Sequence, residues 1–229
     1  MEAIVLAGGF GTRLAARLNG VPKPMAPIAG RPFLEILLGQ LRRCGTTRVL
    51  LSVGYLREII QHHFGTGFGG MEVEYAVEEA PLGTGGAIRR TLQLAREDPV
   101  LVLNGDSYLE ADYAEMMRFH LAHRAVMTMA VTYQDDVARY GGVRVAEERV
   151  AGFEEKGRSG PGWINAGAYV LNRNLPWPPE CTGAFSFEKN VLVPRIGELR
   201  PLAFPVQGFF LDIGVPEDFD RAQDALARR

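Results

Sequence analysis

The stretch EAIVLAGGFGTRL, residues 2–14, is an apolar run that breaks into glycines and then presents a single arginine. Its Ile, Val and Leu content and its length are those of a buried strand. Glycines directly after such a strand let the backbone come close to a phosphate, and a helix starting there would offer unpaired N–H groups to it. Working outward, short apolar runs of the same kind recur at 48–53 (RVLLSV), 71–77 (MEVEYAV), 100–105 (VLVLNG) and 126–132 (VMTMAVT). Helical patterns lie between them. PFLEILLGQLRRC sets Phe33, Leu34, Leu37, Leu38 and Leu41 on one stripe, with Pro32 suited to a first turn and Gly45 just beyond the end. YLREIIQHHF, GGAIRRTLQLARE and ADYAEMMRFHLAH repeat the theme. Strands spaced by helices of this length predict an α/β fold of Rossmann-like type, with a mostly parallel central sheet flanked by helices on both faces.

After residue 133 the texture changes. GGVRVAEERVAGFEEK reads as a hairpin, WINAGAYVLN as a strand, LPWPPE as a loop, 186–198 as a helix, LAFPV and GFFLDIG as strands, and 216–228 as a final helix with Phe219, Ala222, Ala225 and Leu226 on its apolar face. No linker or repeat interrupts the chain. The expectation is one domain over 1–229, with a nucleotide-binding half at about 1–133 and a mixed half at 134–229 that supplies the other wall of a site.

Composition narrows the classes. Apolar residues make up 47% and charged residues 23% of 229, with a net charge of -2, as in an ordinary globular chain. No apolar stretch approaches the ~20 residues of a membrane helix, and the strand-like N-terminus lacks the basic start of a signal peptide, so a cytoplasmic location without a membrane partner is expected. No long basic block argues for nucleic acid. Cys44 and Cys181 are isolated and read as buried or idle thiols. His62, His63, His120 and His123 lack a third ligand and read as solvent-facing. Only Lys23, Lys156 and Lys189 depart from the use of arginine, which marks them as places where a compact ammonium is wanted.

Three loop types and one bland turn compete for the opening glycines. The P-loop requires a lysine that GGFGTRL does not have. The dinucleotide fingerprint wants Gly or Ala where Leu14 stands, and an acid near the end of the second strand, which closes instead on Val53-Gly54. A strand-to-helix turn remains open on the glycines alone. Lys23, in VPKPM ten residues after Arg13, changes the balance.

GTR followed by PKPM is the double signature of the sugar nucleotidyltransferases, the nucleoside diphosphate sugar pyrophosphorylases. The chain resembles that family from residue 2 to about 225 through LAGGFGTRL, PKPM, GRPFLE, PLGTGGAI, NGD, EEKG, NAGAYVL and DIGVPEDF. The spellings VPKPMAPIAGRPFLE and EEAPLGTGGAIR are most similar to the D-glycero-D-manno-heptose 1-phosphate guanylyltransferases. The resemblance implies a GT-A-like nucleotidyltransferase fold and attack of a sugar 1-phosphate on the α-phosphorus of a nucleoside triphosphate, with loss of pyrophosphate, in the synthesis of cell-surface glycan precursors. Mannose 1-phosphate, or uridylyl, thymidylyl or cytidylyl transfer to another sugar phosphate, are the alternatives within the family. The nucleophile is already an anion, so the chemistry asks for fixed cations, backbone donors and metal instead of a general base.

Carried over by resemblance, Leu6 and Ala7 are nucleotide-binding positions, the amides of Gly8, Gly9, Gly11 and Thr12 wrap the triphosphate, Arg13 reaches the leaving phosphates and Lys23 spans the reacting ones. Asn104 and Gly105 approach the nucleotide. Asp106 and Asp212, each at a strand end, hold Mg²⁺, which favours one or two carboxylates plus substrate phosphates. Lys156 holds the sugar phosphate, Glu155 binds sugar hydroxyls, and Gly141, Asn165, Gly167 and Lys189 are further sugar-side candidates. Glu78, with Gly83 and Thr84 in the LGTGG turn, is the candidate base reader, since a carboxylate can accept from N1–H and N2–H₂ of guanine; a bond to a backbone amide is the competing use. GTP and a heptose 1-phosphate are thus the expected partners, and a homodimer is a compatible assembly.

Overall fold

The computed structural model describes residues 1–18 and 20–227. β1 (Glu2–Leu6) leads through the glycine loop and two 3₁₀ turns, Thr12–Arg17 and Lys23–Met25, to the hairpin β2 (Pro27–Ile28) and β3 (Arg31–Pro32) and then to α1 (Phe33–Arg43). β4 (Arg48–Val53), α2 (Arg57–Phe64), β5 (Gly67–Phe68), β6 (Met71–Val77), α3 (Gly83–Leu92) and β7 (Val100–Asn104) follow. Next come β8 (Ser107–Leu109), α4 (Tyr113–Ala122), β9 (Met127–Gln134), β10 (Val143–Ala146), β11 (Arg149–Phe153) and β12 (Gly162–Leu171). α5 (Ile196–Leu199), β13 (Leu202–Val206), β14 (Phe210–Asp212) and α6 (Pro216–Ala225) complete the chain.

Ten strands form one sheet in the order β10-β11-β13-β9-β12-β7-β1-β4-β6-β5. β7, β1, β4 and β6 run parallel, and β12 enters antiparallel to both β7 and β9. The parallel half is therefore what the alternation of apolar runs and helices predicts, and the later strands make the sheet mixed. From β1 the chain winds outward to β4 and β6, then crosses to β7 on the other side of β1. That reversal opens a crevice beyond the carboxyl ends of β1 and β7, where open α/β sheets bind ligands.

Strand alternation sorts the core into two layers. Ala3, Val5, Leu101 and Leu103 pack with the apolar stripe of α1 and with Ile60, Phe64 and Met116 of α2 and α4. Ile4, Val100 and Val102 face the other way, against Ile88 and Leu92 of α3 and Phe187, Val191 and Leu192. A third cluster joins Leu14 and Leu18 to Tyr108, Leu211, Phe219 and Ala222, which fastens the glycine loop to β8, β14 and α6.

The glycine loop runs into a 3₁₀ turn, with Leu14 and Leu18 drawn into the third cluster. Three expectations are corrected. The helix expected over 186–198 is a π turn, Glu188–Leu192, followed by the separate α5, since Val191, Leu192 and Leu199 must all reach one core. The last helix ends at Ala225; its expected final residue, 228, lies outside the described residues. His120 is buried, not solvent-facing. Its Nε2–H donates to Asn172 Oδ1 (3.0 Å), which leaves Nδ1 to accept from the Thr128 hydroxyl (2.9 Å). Burial pushes its pKa below the ordinary imidazole value, with the Asn172 bond pulling the other way. His62, His63 and His123 are exposed as expected.

Candidate active site

The crevice beyond β1 and β7 divides into three connected parts. A cleft of about 340 Å³ is lined by Leu6, Gly8, Gly9, Lys23, Glu78, Gly83, Thr84, Asn104, Gly105 and Asp106. A recess of about 170 Å³ beside it contains Gly9, Gly11, Thr12, Arg13, Lys23 and Asp106. A third space of about 250 Å³ carries Arg13, Asn104, Lys156, Asn165, Gly167 and Asp212, and adds Arg139, Tyr140, Tyr169, Glu188 and Phe210. Arg13 lines both the recess and this third space. Ala7 is buried, its amide donating to the Ser52 carbonyl (2.8 Å), and so it supports the loop from beneath.

Gly11 adopts φ +61°, and a Cβ there would lie 2.8 Å from Cβ of Lys23. Only glycine permits both the left-handed turn and this approach, which lays the Lys23 stem against the loop. Beyond β7 the two aspartates meet through a short antiparallel pair. Ser107 of β8 is in register with Asp212 of β14, and the Ile213 amide donates to the Asp106 carbonyl (3.0 Å). Lys23 Nζ sits 2.7 Å from Asp106 Oδ2 and 3.9 Å from Asp212 Oδ1.

Burial raises the pKa of Asp212, and the neighbouring Asp106 charge adds to that, against the opposing pull of Lys23, Arg139 and the Gly214 amide. Asp212 Oδ1 is moreover buried without a hydrogen-bond partner. A buried, orphaned carboxylate oxygen beside a second carboxylate calls for positive charge. In this structure the Lys23 ammonium answers part of that demand, and the donor set fits a divalent cation. Among the described residues no three His, Cys, Asp or Glu side chains converge. Two carboxylates completed by phosphate oxygens match the way hard cations are held at nucleotide sites.

On the sugar side, Asn165 Nδ2 donates to Tyr169 Oη (2.7 Å) and Glu188 Oε2 (3.2 Å), while its Oδ1 accepts from the Gly167 amide (3.0 Å). Two expected residues do not join this group. Glu155 and Lys189 are both exposed and outside the lining. Glu154 is held against the hairpin, its amide donating to the Gly142 carbonyl (2.8 Å), and the π turn brings Glu188, not Lys189, to Asn165. Gly141 packs under Lys156 (3.5 Å from a Cβ position to Cγ) and shapes the wall from behind. Glu78 reaches the cleft but is engaged: Oε1 accepts from Ser52 Oγ (2.8 Å) and Oε2 from the Leu82 amide (3.1 Å). Each oxygen retains a further lone pair.

Sequence reasoning missed Arg139, Tyr140, Tyr169, Glu188 and Phe210. Arg139 and Tyr140 directly precede Gly141 in ARYGG, so a glycine pair next to Arg-Tyr was the available signal.

Fixed cations, backbone donors and paired carboxylates around a glycine loop suit the gathering and transfer of phosphates, and together with this sheet they define a nucleotidyltransferase. The chain belongs to the nucleotidyl transferase family, whose model matches residues 2–228. It is 37% identical over 226 residues to the D-glycero-alpha-D-manno-heptose 1-phosphate guanylyltransferase of Aneurinibacillus thermoaerophilus, covering 99% of this chain and 98% of that protein. It is also 37% identical to the mannose-1-phosphate guanylyltransferase of Mycobacterium tuberculosis, over all of this chain but 65% of that longer protein. The solved structure of HddC from Yersinia pseudotuberculosis complexed with GMP-PN superposes with a TM-score of 0.85 at 34% identity, covering 98% of both chains. No helix among the described residues is long and apolar enough to cross a membrane.

Proposed function

We propose that this chain transfers a guanylyl group from GTP to D-glycero-α-D-manno-heptose 1-phosphate, forming the nucleotide sugar and pyrophosphate. The observation that carries the chemistry is Lys23 lying under the glycine loop between Asp106 and Asp212. The choice of base and sugar rests on the end-to-end match to a heptose 1-phosphate guanylyltransferase.

In this reading the amides of Gly8, Gly9, Gly11 and Thr12 bind the triphosphate, and Arg13 accompanies the departing pyrophosphate. Lys156 holds the sugar phosphate, while Asn165, Tyr169 and Glu188 meet the sugar hydroxyls. Lys23 spans the reacting phosphates, and holding the two polyanions in line replaces any need for a base. Asp106 and Asp212 would hold Mg²⁺, which would supply Lewis-acid stabilisation of the charge that develops on the phosphates. Glu78 orients the 78–82 turn through Leu82 and presents its remaining lone pairs to the guanine edge. The 1–133 and 134–229 portions act as one unit in the cytoplasm, as a monomer or homodimer, feeding glycan precursor synthesis.

Supplying GTP, ATP, UTP, CTP and dTTP in turn with heptose 1-phosphate, mannose 1-phosphate or an amino-sugar 1-phosphate, and reading released pyrophosphate, tests this. GTP with the heptose is the expected best pair. A preference for mannose 1-phosphate selects the second relative's sugar, and exclusive use of UTP with an amino-sugar phosphate overturns the guanylyl choice.

A further inference from the structure

Arg139 makes more contacts to acidic groups in the crevice than its position in a loop between β9 and β10 would suggest. Nη1 donates to Asp218 Oδ2 at the start of α6. Nη2 donates to the Asp212 carbonyl (3.3 Å) and lies 3.7 Å from Asp212 Oδ2. The guanidinium rests over the Tyr140 ring, 4.7 Å from its centroid, and that ring packs edge-on against Phe210 (5.6 Å), two residues before Asp212. Asp218 is buried and is also paired with Arg221 (3.4 Å). The planar fork is thus fixed from the aromatic face, from α6 and from β14 together.

We propose that Arg139 is a positioning residue for the cation site: it engages the Oδ2 side of Asp212 and so turns Oδ1 toward Lys23 and Asp106. The proposal rests on the reading of Asp106 and Asp212 as cation ligands. Oδ1 is the oxygen left buried and unbonded, and it lies on the Lys23 side at 3.9 Å. Gly214 keeps that oxygen open, since a Cβ there would stand 2.8 Å from it. Arg139 meets Asp218 through Nη1 and Asp212 through Nη2, two nitrogens of one rigid planar fork, a fixed geometry that the point charge of an ammonium lacks. Removing a group that orients a metal-binding carboxylate in this way typically weakens affinity for the ion about 10- to 100-fold.

The test is a Mn²⁺ titration of the purified full chain, followed by loss of the free-ion electron paramagnetic resonance signal, for wild type, R139Q, R139K and D212N. GTP binding in EDTA is measured in parallel by calorimetry. R139Q is expected to weaken Mn²⁺ binding about 10- to 100-fold, with R139K recovering only part of the loss and metal-free GTP binding unchanged. Should R139Q not fold, the same titration on R139K decides, with about tenfold weakening expected. Wild-type Mn²⁺ affinity in R139Q while D212N loses it overturns the role of Arg139 and leaves the cation site standing. Undiminished Mn²⁺ binding in D212N removes the cation reading itself, and the inference with it. An equal loss of metal-free GTP binding in R139Q overturns the proposal in favour of a general role in shaping the cleft.

Discussion

Replacing Lys23 by Met separates the pairing of this ammonium with Asp106 and Asp212 from the catalytic role proposed for it. The Lys23 side chain is 9% exposed, and its charge faces Asp106, itself 39% exposed, and the more buried Asp212. Met keeps an unbranched, flexible stem against Gly11 and deletes only the charge. Breaking an exposed ion pair costs about 1 kcal/mol or less, whereas stranding a buried charge costs about 3–5 kcal/mol. Water reaches Asp106 and screens part of the loss, so the variant should fall between these limits, about 2 kcal/mol less stable, or about 4–8 °C in Tm for a chain of this size. The catalytic effect is larger. Removing one fixed donor from developing phosphate charge costs about 10²–10³ in kcat, equivalent to about 2.7–4 kcal/mol. At 25 °C both proteins remain folded, so the two effects are read independently, by thermal unfolding and by pyrophosphate release at saturating Mg²⁺ and substrates. Divalent cation should also narrow the difference in Tm, because it supplies the charge that the variant lacks. A Lys23→Met enzyme that melts and turns over as wild type does would refute the placement of Lys23 among the reacting phosphates.

Gly86 in α3 tests why the LGTGG turn is glycine-rich: a Cβ there would lie 2.5 Å from the Gly183 carbonyl and 3.0 Å from Leu82 Cβ. Gly86→Ala should therefore lose about 1–2 kcal/mol, the overpacking cost exceeding the helix-propensity gain of about 1 kcal/mol, and melt about 2–8 °C lower; unchanged melting would mean that the 183–187 segment simply yields. For His120 the sign follows from its lowered folded pKa. The unfolded chain takes up a proton that the folded chain resists, so this contribution to stability is complete above the ordinary imidazole pKa of about 6.5 and declines as pH falls through that value toward the lower folded one. Denaturant unfolding at several pH values should show a flatter acid slope in His120→Gln than in wild type, and parallel slopes would contradict the assignment.

Much of the fold was legible because it is written in short-range terms. The runs at 48–53 and 71–77 coincide with β4 and β6, and the stripe of Phe33, Leu34, Leu37, Leu38 and Leu41 is the buried face of α1. Strand and helix periods are local properties, and a glycine loop after a strand is visible over a dozen residues. The 186–198 region was misread because its apolar spacing fits a continuous helix, while the core it serves requires a π turn and a break. His120 was misread for a related reason: two histidines on one helix read alike from spacing, yet only one of them faces Thr128 and Asn172.

By itself, then, the sequence determined a parallel α/β half, its glycine loop, and through Arg13, Lys23 and the later motifs the family and the class of phosphate chemistry. Tertiary structure alone decided which groups share a wall. It joined Glu188 to Asn165, tied Glu78 to Ser52 and Leu82, and set Arg139 between Asp212 and Asp218. Arg139 and Asp218 are 79 residues apart, and no periodicity operates over that distance. Their meeting depends on how β14 pairs with β8 and how α6 packs on the glycine loop, outcomes of many weak contacts settled together when the core closes.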